Sequence, residues 1–339
     1  MKRRLRAFCE SAKVSHRSCS GSLQRVVTDF GADVSFLQAA DKLVEHYGVP
    51  LSETTIRRIT EAHAQAIHAA TALDKTWPET AGIAVVVAQM DGGMVPIVES
   101  DPTQSDRRKG KSLRWKEAKI CLAHAQGSAT LHYGGTLCGD VAVAGAQWFD
   151  CAKRAGFGST TQLHAVGDGA EWIALQVEQK FGANGRYLID FYHVCDYLSA
   201  ASKALCSDQA AVKVWLEQQK VALKTQNAKS VIAALSPHLE PADARELEAP
   251  VRQCHRYLSH RCEQLDYQDA IKKKLPIGSG EIESAHRYVV QQRLKRPGAW
   301  WSPRHADAML ALRLIRANRK WGSYWAERKT SERFSKMAG

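Results

Sequence analysis

The chain has 339 residues, 45% of them hydrophobic and 24% charged, a balance that predicts a soluble globular protein with room for two or three domains. Its net charge of +12 points to a polyanionic partner, nucleic acid first, against the plainer reading of a solubilising surface. The basic start MKRRLRAFCESAKVSH has no apolar core of a secretory signal, and the longest apolar run, GIAVVVAQM at 82–90, is too short for a bilayer. Neither export nor a membrane is therefore expected, and nine cysteines without a CxxC motif fit reduced thiols in a cytoplasm.

In chain order, Cys9, His16 and Cys19 come first and lack a fourth metal ligand nearby. SFLQAADKLVEHYG (35–48) then has a helical period, broken by Gly48 and Pro50. SETTIRRITEAHAQAIHAA (52–70) restarts it with Ser52 as N-cap. Joined through GVPL, the pair reads as a helix-turn-helix presenting Arg57 and Arg58 to DNA, or as a plain helical hairpin. Beyond DKTWPET the pattern changes. AGIAVVVAQMDGGMVPIVES reads as a buried strand, a turn at Asp91-Gly92-Gly93 and a second strand. Arg107, Arg108, Lys109, Lys111 and Arg114 mark a basic hairpin tip. WKEAKICLAHA and ATLHYGGTL give further strand segments, and 139–156 is helical. TQLHAVGDGAEWIALQVEQKF runs strand, sharp turn, helix, and RYLIDFYHVCDYLSAASKAL runs strand into helix.

From about 200 to 274 the strands stop and amphipathic helical stretches take over. They include Cys254, His255, His260 and Cys262, whose spacing is not that of a zinc finger. KKKLPIGSG follows, then a helix with Glu281 and Glu283, and a last basic helix near 303–320. The expected organisation is an α/β protein interrupted by an all-helical block. Its parts are an N-terminal helical DNA-binding region at 1–75, a first catalytic part at 80–200, the helical insertion at 201–274 and C-terminal helices at 275–325.

Three acids stand out. Asp91 ends a run of apolar strand residues, although Asp-Gly is also a strong hairpin signal. Asp168 sits between a strand and a helix, where with Glu171 it imitates a capping box. Taken together, carboxylates at strand ends converge on one crevice of an α/β sheet. With a helical glutamate, they would hold two divalent ions in a hard oxygen site suited to phosphodiester chemistry. Rotation by 100° per residue along 281–296 puts Glu283 at the edge of the apolar side and Glu281 on the polar side, so Glu283 is the expected third carboxylate.

MDGG, VGDGAEWI, LIDFYHVCDYL and IGSGEIESAHRYVVQQRLKRPGAWWS, followed by an Arg-rich helix, resemble the DDE transposases of ISKra-type bacterial insertion sequences, relatives of the Mutator-like transposases. The resemblance covers roughly residues 20–325 and implies an RNase H-like core with Asp91, Asp168 and Glu283 as catalytic metal ligands. It implies Mg²⁺ or Mn²⁺, two ions, as cofactor, and a helical insertion before the glutamate. His193, in an Asp-x-x-His signature from Asp190, would be an auxiliary active-site residue, or else a satisfied histidine at a helix start. Partners would be double-stranded DNA, as terminal inverted repeats and target, and further copies of the chain in a synaptic dimer or larger assembly. The location would be a bacterial cytoplasm, on the nucleoid. Family members often carry a longer cysteine-rich N-terminal region, of which Cys9, His16 and Cys19 would be a remnant, or else the chain would be a truncated copy.

Arg293, Lys295, Arg296, Arg304, Arg313 and Arg316 add candidate phosphate contacts to Arg57 and Arg58. Trp300 and Trp301 either stack on unpaired bases or belong to the core. Two rival functions stay open: a catalytically silent DNA-binding protein derived from a transposase, and a two-carboxylate hydrolase such as a glycosidase.

Overall fold

The computed structural model describes residues 19–100, 103 and 110–328. Three helices come first: α1 (Gly21–Asp33), α2 (Phe36–Tyr47) and α3 (Glu53–Ala70). The first of them has no counterpart among the expected elements. Serine side chains cap all three, accepting from Leu23, Gln38 and Thr55 backbone N–H groups. Val27, Ala39, Leu43 and Ile56 form their shared core.

The sheet is built from β1 (Val85–Ser100), β2 (Lys111–Ala125), β3 (His132–Thr136), β4 (Gln162–Gly167) and β5 (Gly185–Ile189), in the order β3-β2-β1-β4-β5. β1 runs antiparallel to β2 and parallel to β4, β2 is antiparallel to β3, and β5 is parallel to β4. This is the RNase H-like mixed sheet. Between the strands lie α4 (Val141–Arg154) and α5 (Glu171–Phe181), and α6 (Phe191–Leu205) follows β5. The insertion contributes α7 (Gln209–Thr225), α8 (Ala228–Leu235), α9 (Pro250–His260) and α10 (Tyr267–Lys272). Then come α11 (Gly280–Ala285), prolonged by a π-helical turn (His286–Gln291) to Leu294, and α12 (Pro303–Ala317), and residues 321–328 are helical as well.

The turn expected at Asp91-Gly92-Gly93 does not exist. β1 continues through it, with Gly92 opposite Lys119 and Gly93 opposite Ala118. Neither glycine has a positive φ. They serve close approach instead: a Cβ on Gly93 would lie 2.6 Å from His286 Nδ1, and one on Gly92 would run into the Glu117 carboxylate. The connection between β1 and β2 lies beyond Ser100, so Arg107, Arg108 and Lys109 fall outside the described residues, while Lys111 and Arg114 stand on β2.

Alternation along β1 divides the core in two. Val86, Ala88 and Met90 face α4 and α5, packing with Trp148, Phe149, Ile173 and Phe181. Val95 and Ile97 face the other way, with Ile282, Val289, Met309 and Leu310 of the C-terminal helices. Ala32, Ala64 and Ile67 join this second core, so the N-terminal helices are packed onto the C-terminal helices and this face of the sheet. The insertion has a third core, where Leu223, Val231, Leu258 and Tyr267 meet Leu188, Ile189 and Val194. Among the described residues no helix is long and apolar enough to cross a membrane.

Candidate active site

β1 and β4 pair in parallel up to Gln89 opposite Val166. Two residues further on, the same register brings Asp91 beside Asp168. Asp91 is half-buried, and its Oδ1 accepts from the Gly92 N–H at 2.7 Å. His286 Nε2 stands 3.4 Å from Asp91 Oδ2 and 3.2 Å from its backbone oxygen. Burial holds the Asp91 carboxyl above the ordinary aspartate value, and the Asp168 charge adds to this. His286, the Gly92 N–H and His193 pull the other way without cancelling the rise. Asp168 Oδ1 accepts from the Ala170 N–H at 2.8 Å, and Ala170 is the N-cap of α5, so no capping box forms with Glu171.

The GSG loop is fastened to the end of β5. Asp190 caps α6 through Oδ1, which accepts from Tyr192 N (2.6 Å) and His193 N (3.2 Å). Its other oxygen accepts from the backbone N–H (2.6 Å) and the hydroxyl of buried Ser279. Asp190 is thus a structural acid, and His193 is left exposed on the first turn of α6, close enough to Asp91 to act on its charge.

Glu281 is not the polar-side acid that a 100° rotation makes it. Its Oε2 accepts from Gln89 Nε2 at 3.1 Å and from His124 Nε2 at 3.0 Å, reaching β1 and β2. The amide of Gln89 closes the arrangement by accepting from the Ile282 N–H at 2.9 Å. His124 Nδ1 faces the Ala125 carbonyl at 2.9 Å. Both ring nitrogens therefore face oxygens, an arrangement that favours the imidazolium against an ionised Glu281. Burial works against that charge, but the Glu281 and Ala125 hydrogen bonds outweigh it and raise the His124 pKa. Rotation failed because it was phased on Val289, Val290 and Leu294, which lie in and beyond the π turn. An i→i+5 turn carries more residues than an α turn and shifts the phase of everything before it.

Glu283 lies exposed on α11, one turn before His286. Among the described residues no group of three or more His, Cys, Asp or Glu side chains is gathered as a metal site. The expected set is brought together in part: Asp91 and Asp168 are neighbours, and Glu283 stands apart from them. Hard oxygen donors, one of them burdened by a like charge, suit a divalent cation at the aspartate pair. Of the cysteine groups, Cys9 and His16 fall outside the described residues. Cys254 is a core residue whose thiol burial pushes up to about 12, unlike a zinc thiolate.

The candidate phosphate contacts divide. Arg57, Arg58, Lys295 and Arg304 are exposed. Arg293 and Arg313 are not surface cations, and this corrects the sequence expectation. Arg293 is buried between the Phe36 and Trp301 rings and donates to the Gly31 carbonyl at 2.9 Å. Arg313, also buried, donates to the backbone of Ala32 and Tyr288 and pairs with Asp33. Arg316 pairs with Asp29 (3.0 Å) and Asp33 (2.7 Å), and Arg296 donates to the Asp33 carbonyl. These arginines are spent holding α1 to the C-terminal helices, a role invisible without α1.

A family model described as "Uncharacterised protein family (UPF0236)" matches residues 143–333, more than half the chain. The chain belongs to UPF0236. Asp168, His193, Glu281 and Glu283 lie within the UPF0236 match, and Asp91, Gln89 and His124 precede it. No curated protein matches this chain. Four residues of the candidate site escaped the sequence reading: Gln89, His124, Ser279 and His286. The first two carried a signal, as polar residues set within otherwise apolar strands.

Proposed function

We propose that this UPF0236 member is an RNase H-like DNA transposase of the DDE kind, acting by metal-dependent phosphoryl transfer. The observation that carries the reading is the side-by-side placement of Asp91 and Asp168 on neighbouring parallel strands, beneath a helix that bears Glu283. Asp91 and Asp168 would hold Mg²⁺ or Mn²⁺, and Glu283 would complete the set by swinging in from its exposed position. Bound there, the ions would activate water or a 3′-hydroxyl and stabilise the leaving oxygen. The protein's own contribution is placement. Asp190 and Ser279 fix the start of α11, and the Glu281–Gln89–His124 cluster pins its first turn to the sheet. His193, exposed beside the acids, would steady a phosphate. Exposed Arg57, Arg58, Lys295 and Arg304 would contact the backbone of the element's terminal repeats and of target DNA, in a dimer or larger complex.

The test is cleavage and strand transfer on the element's own ends, with and without Mg²⁺. Glu283→Gln is expected to abolish both while Glu281→Gln retains them, and the opposite result overturns the assignment. A catalytically silent DNA-binding protein is the second reading, favoured by the exposure of Glu283, which joins no three-acid cluster among the described residues. Metal-dependent cutting by the wild-type chain excludes it.

A further inference from the structure

Beyond Asp91 the β1–β2 ribbon outruns the helices that cover its α4/α5 face. Val95, Ile97 and Ala118, on the opposite face, are buried under the C-terminal helices. On the uncovered face Met94, Leu113 and Trp115 are exposed, Trp115 to 57%. The register sets Pro96 opposite Trp115, Val98 opposite Leu113 and Met94 opposite Glu117. Each end of this strip carries a lysine on a tryptophan. Lys119 Nζ lies 6.0 Å from the Trp172 ring at the active-site end, and Lys111 Nζ lies 5.8 Å from Trp300 at the far end. Trp300 is 67% exposed, whereas its neighbour Trp301 is buried and bridges to Ile97. Glu117 is the acid on the strip, and it is paired with Lys119 at 3.0 Å.

We propose that this ribbon face binds an unpaired DNA strand leading away from the active site, an inference that rests on the transposase reading above. Lys111 beside the open rings of Trp300 and Trp115 decides the occupant, while Lys119, largely covered and paired with Glu117, closes the other end. Lysine is depleted at the centre of protein–protein interfaces, whereas phosphate and base follow one another along a nucleic-acid strand. An exposed indole face stacks on a base only where that base is not already stacked in a duplex. From Lys111 to Lys119 the strip spans eight residues of β2, about 27 Å at roughly 3.4 Å per residue, enough for several nucleotides. Its active-site end begins at Trp172, four residues after Asp168, so a strand opened at the acids reaches it directly.

The experiment measures binding of the full chain to fluorescein-labelled oligo-dT of about 16 nucleotides and to a duplex of the same length, in EDTA. Trp115→Ala is expected to weaken oligo-dT binding by roughly five- to a hundred-fold, with duplex affinity and Tm unchanged. Lys111→Gln is expected to weaken oligo-dT binding and lower its salt slope by about one. Unchanged oligo-dT affinity in Trp115→Ala overturns the proposal. So does a change in sedimentation coefficient without a change in oligo-dT affinity, which would assign the face to a second copy. Binding in EDTA is independent of cleavage: active Glu283→Gln with impaired Trp115→Ala would sink the catalytic assignment and leave this surface standing.

Discussion

Glu281→Ala separates a clamp from a catalyst. The substitution removes the acceptor shared by Gln89 Nε2 and His124 Nε2, both on buried side chains. A buried donor left without a partner costs about 1–3 kcal/mol. Two such donors would approach twice that, but the Glu281 side chain is 43% exposed, so water can enter the space it leaves. The expected loss is therefore about 1–3 kcal/mol, read as a fall in Tm of roughly 1–4 °C by circular dichroism. Glu281→Gln keeps one acceptor oxygen and should lose less. A pH series supplies a second signature. Because the folded His124 pKa is raised, its stabilising share is complete below the unfolded value near 6.5 and is lost as pH rises through the folded value. Without Glu281, burial outweighs the Ala125 hydrogen bond that remains, so that slope should reverse in Glu281→Ala. An unchanged Tm would refute the clamp. Complete loss of cleavage at an unchanged Tm would make Glu281 itself the third carboxylate.

Asp91→Asn should raise Tm in EDTA. A folded carboxyl pKa above the unfolded one means that ionisation costs stability as pH rises through that window, and asparagine keeps the acceptor for the Gly92 N–H. Millimolar Mg²⁺ should raise the Tm of the wild type and not of this variant, and equal shifts in both would remove Asp91 from the metal site. Arg313→Ala should destabilise by about 1–3 kcal/mol in urea unfolding, because it strips the Ala32 and Tyr288 carbonyls of their buried donor while Asp33 keeps Arg316. Arg304→Ala should leave stability alone and lower the salt slope of duplex binding by about one.

Strand and helix periods were readable wherever one local pattern settled the matter, as in GIAVVVAQM for β1 and the Ser-capped run at 52–70 for α3. Asp91 and Asp168 stand out in sequence as strand-end acids, and the structure sets them side by side, although Asp91 lies within β1 and not at its end. The Asp-Gly-Gly stretch misled because a glycine signals a turn and a close approach in the same way, and only the position of His286 distinguishes them. Arg293 and Arg313 were misread for a related reason. An arginine's charge is visible in sequence, but its partners, Gly31, Ala32 and Asp33, lie more than 250 residues away at the end of α1. Glu281 escaped because helical phase was extended across a segment that is not α-helical.

The π turn has its own consequence for how this region tolerates change. It lets one continuous helix keep two registers. Before it, Glu281 and Ile282 are set by the sheet; after it, Arg293 and Leu294 are set by the N-terminal helices and α12. The turn absorbs one residue more than an α turn, so deleting a residue between His286 and Gln291 would restore a plain α-helix with both halves still facing their partners. Deleting a residue from the α segment on either side would instead turn one half by about 100° relative to the other, and the chain would have to release either the sheet or the N-terminal helices. A survey of relatives should therefore find single-residue gaps inside this turn and not in the helix beside it.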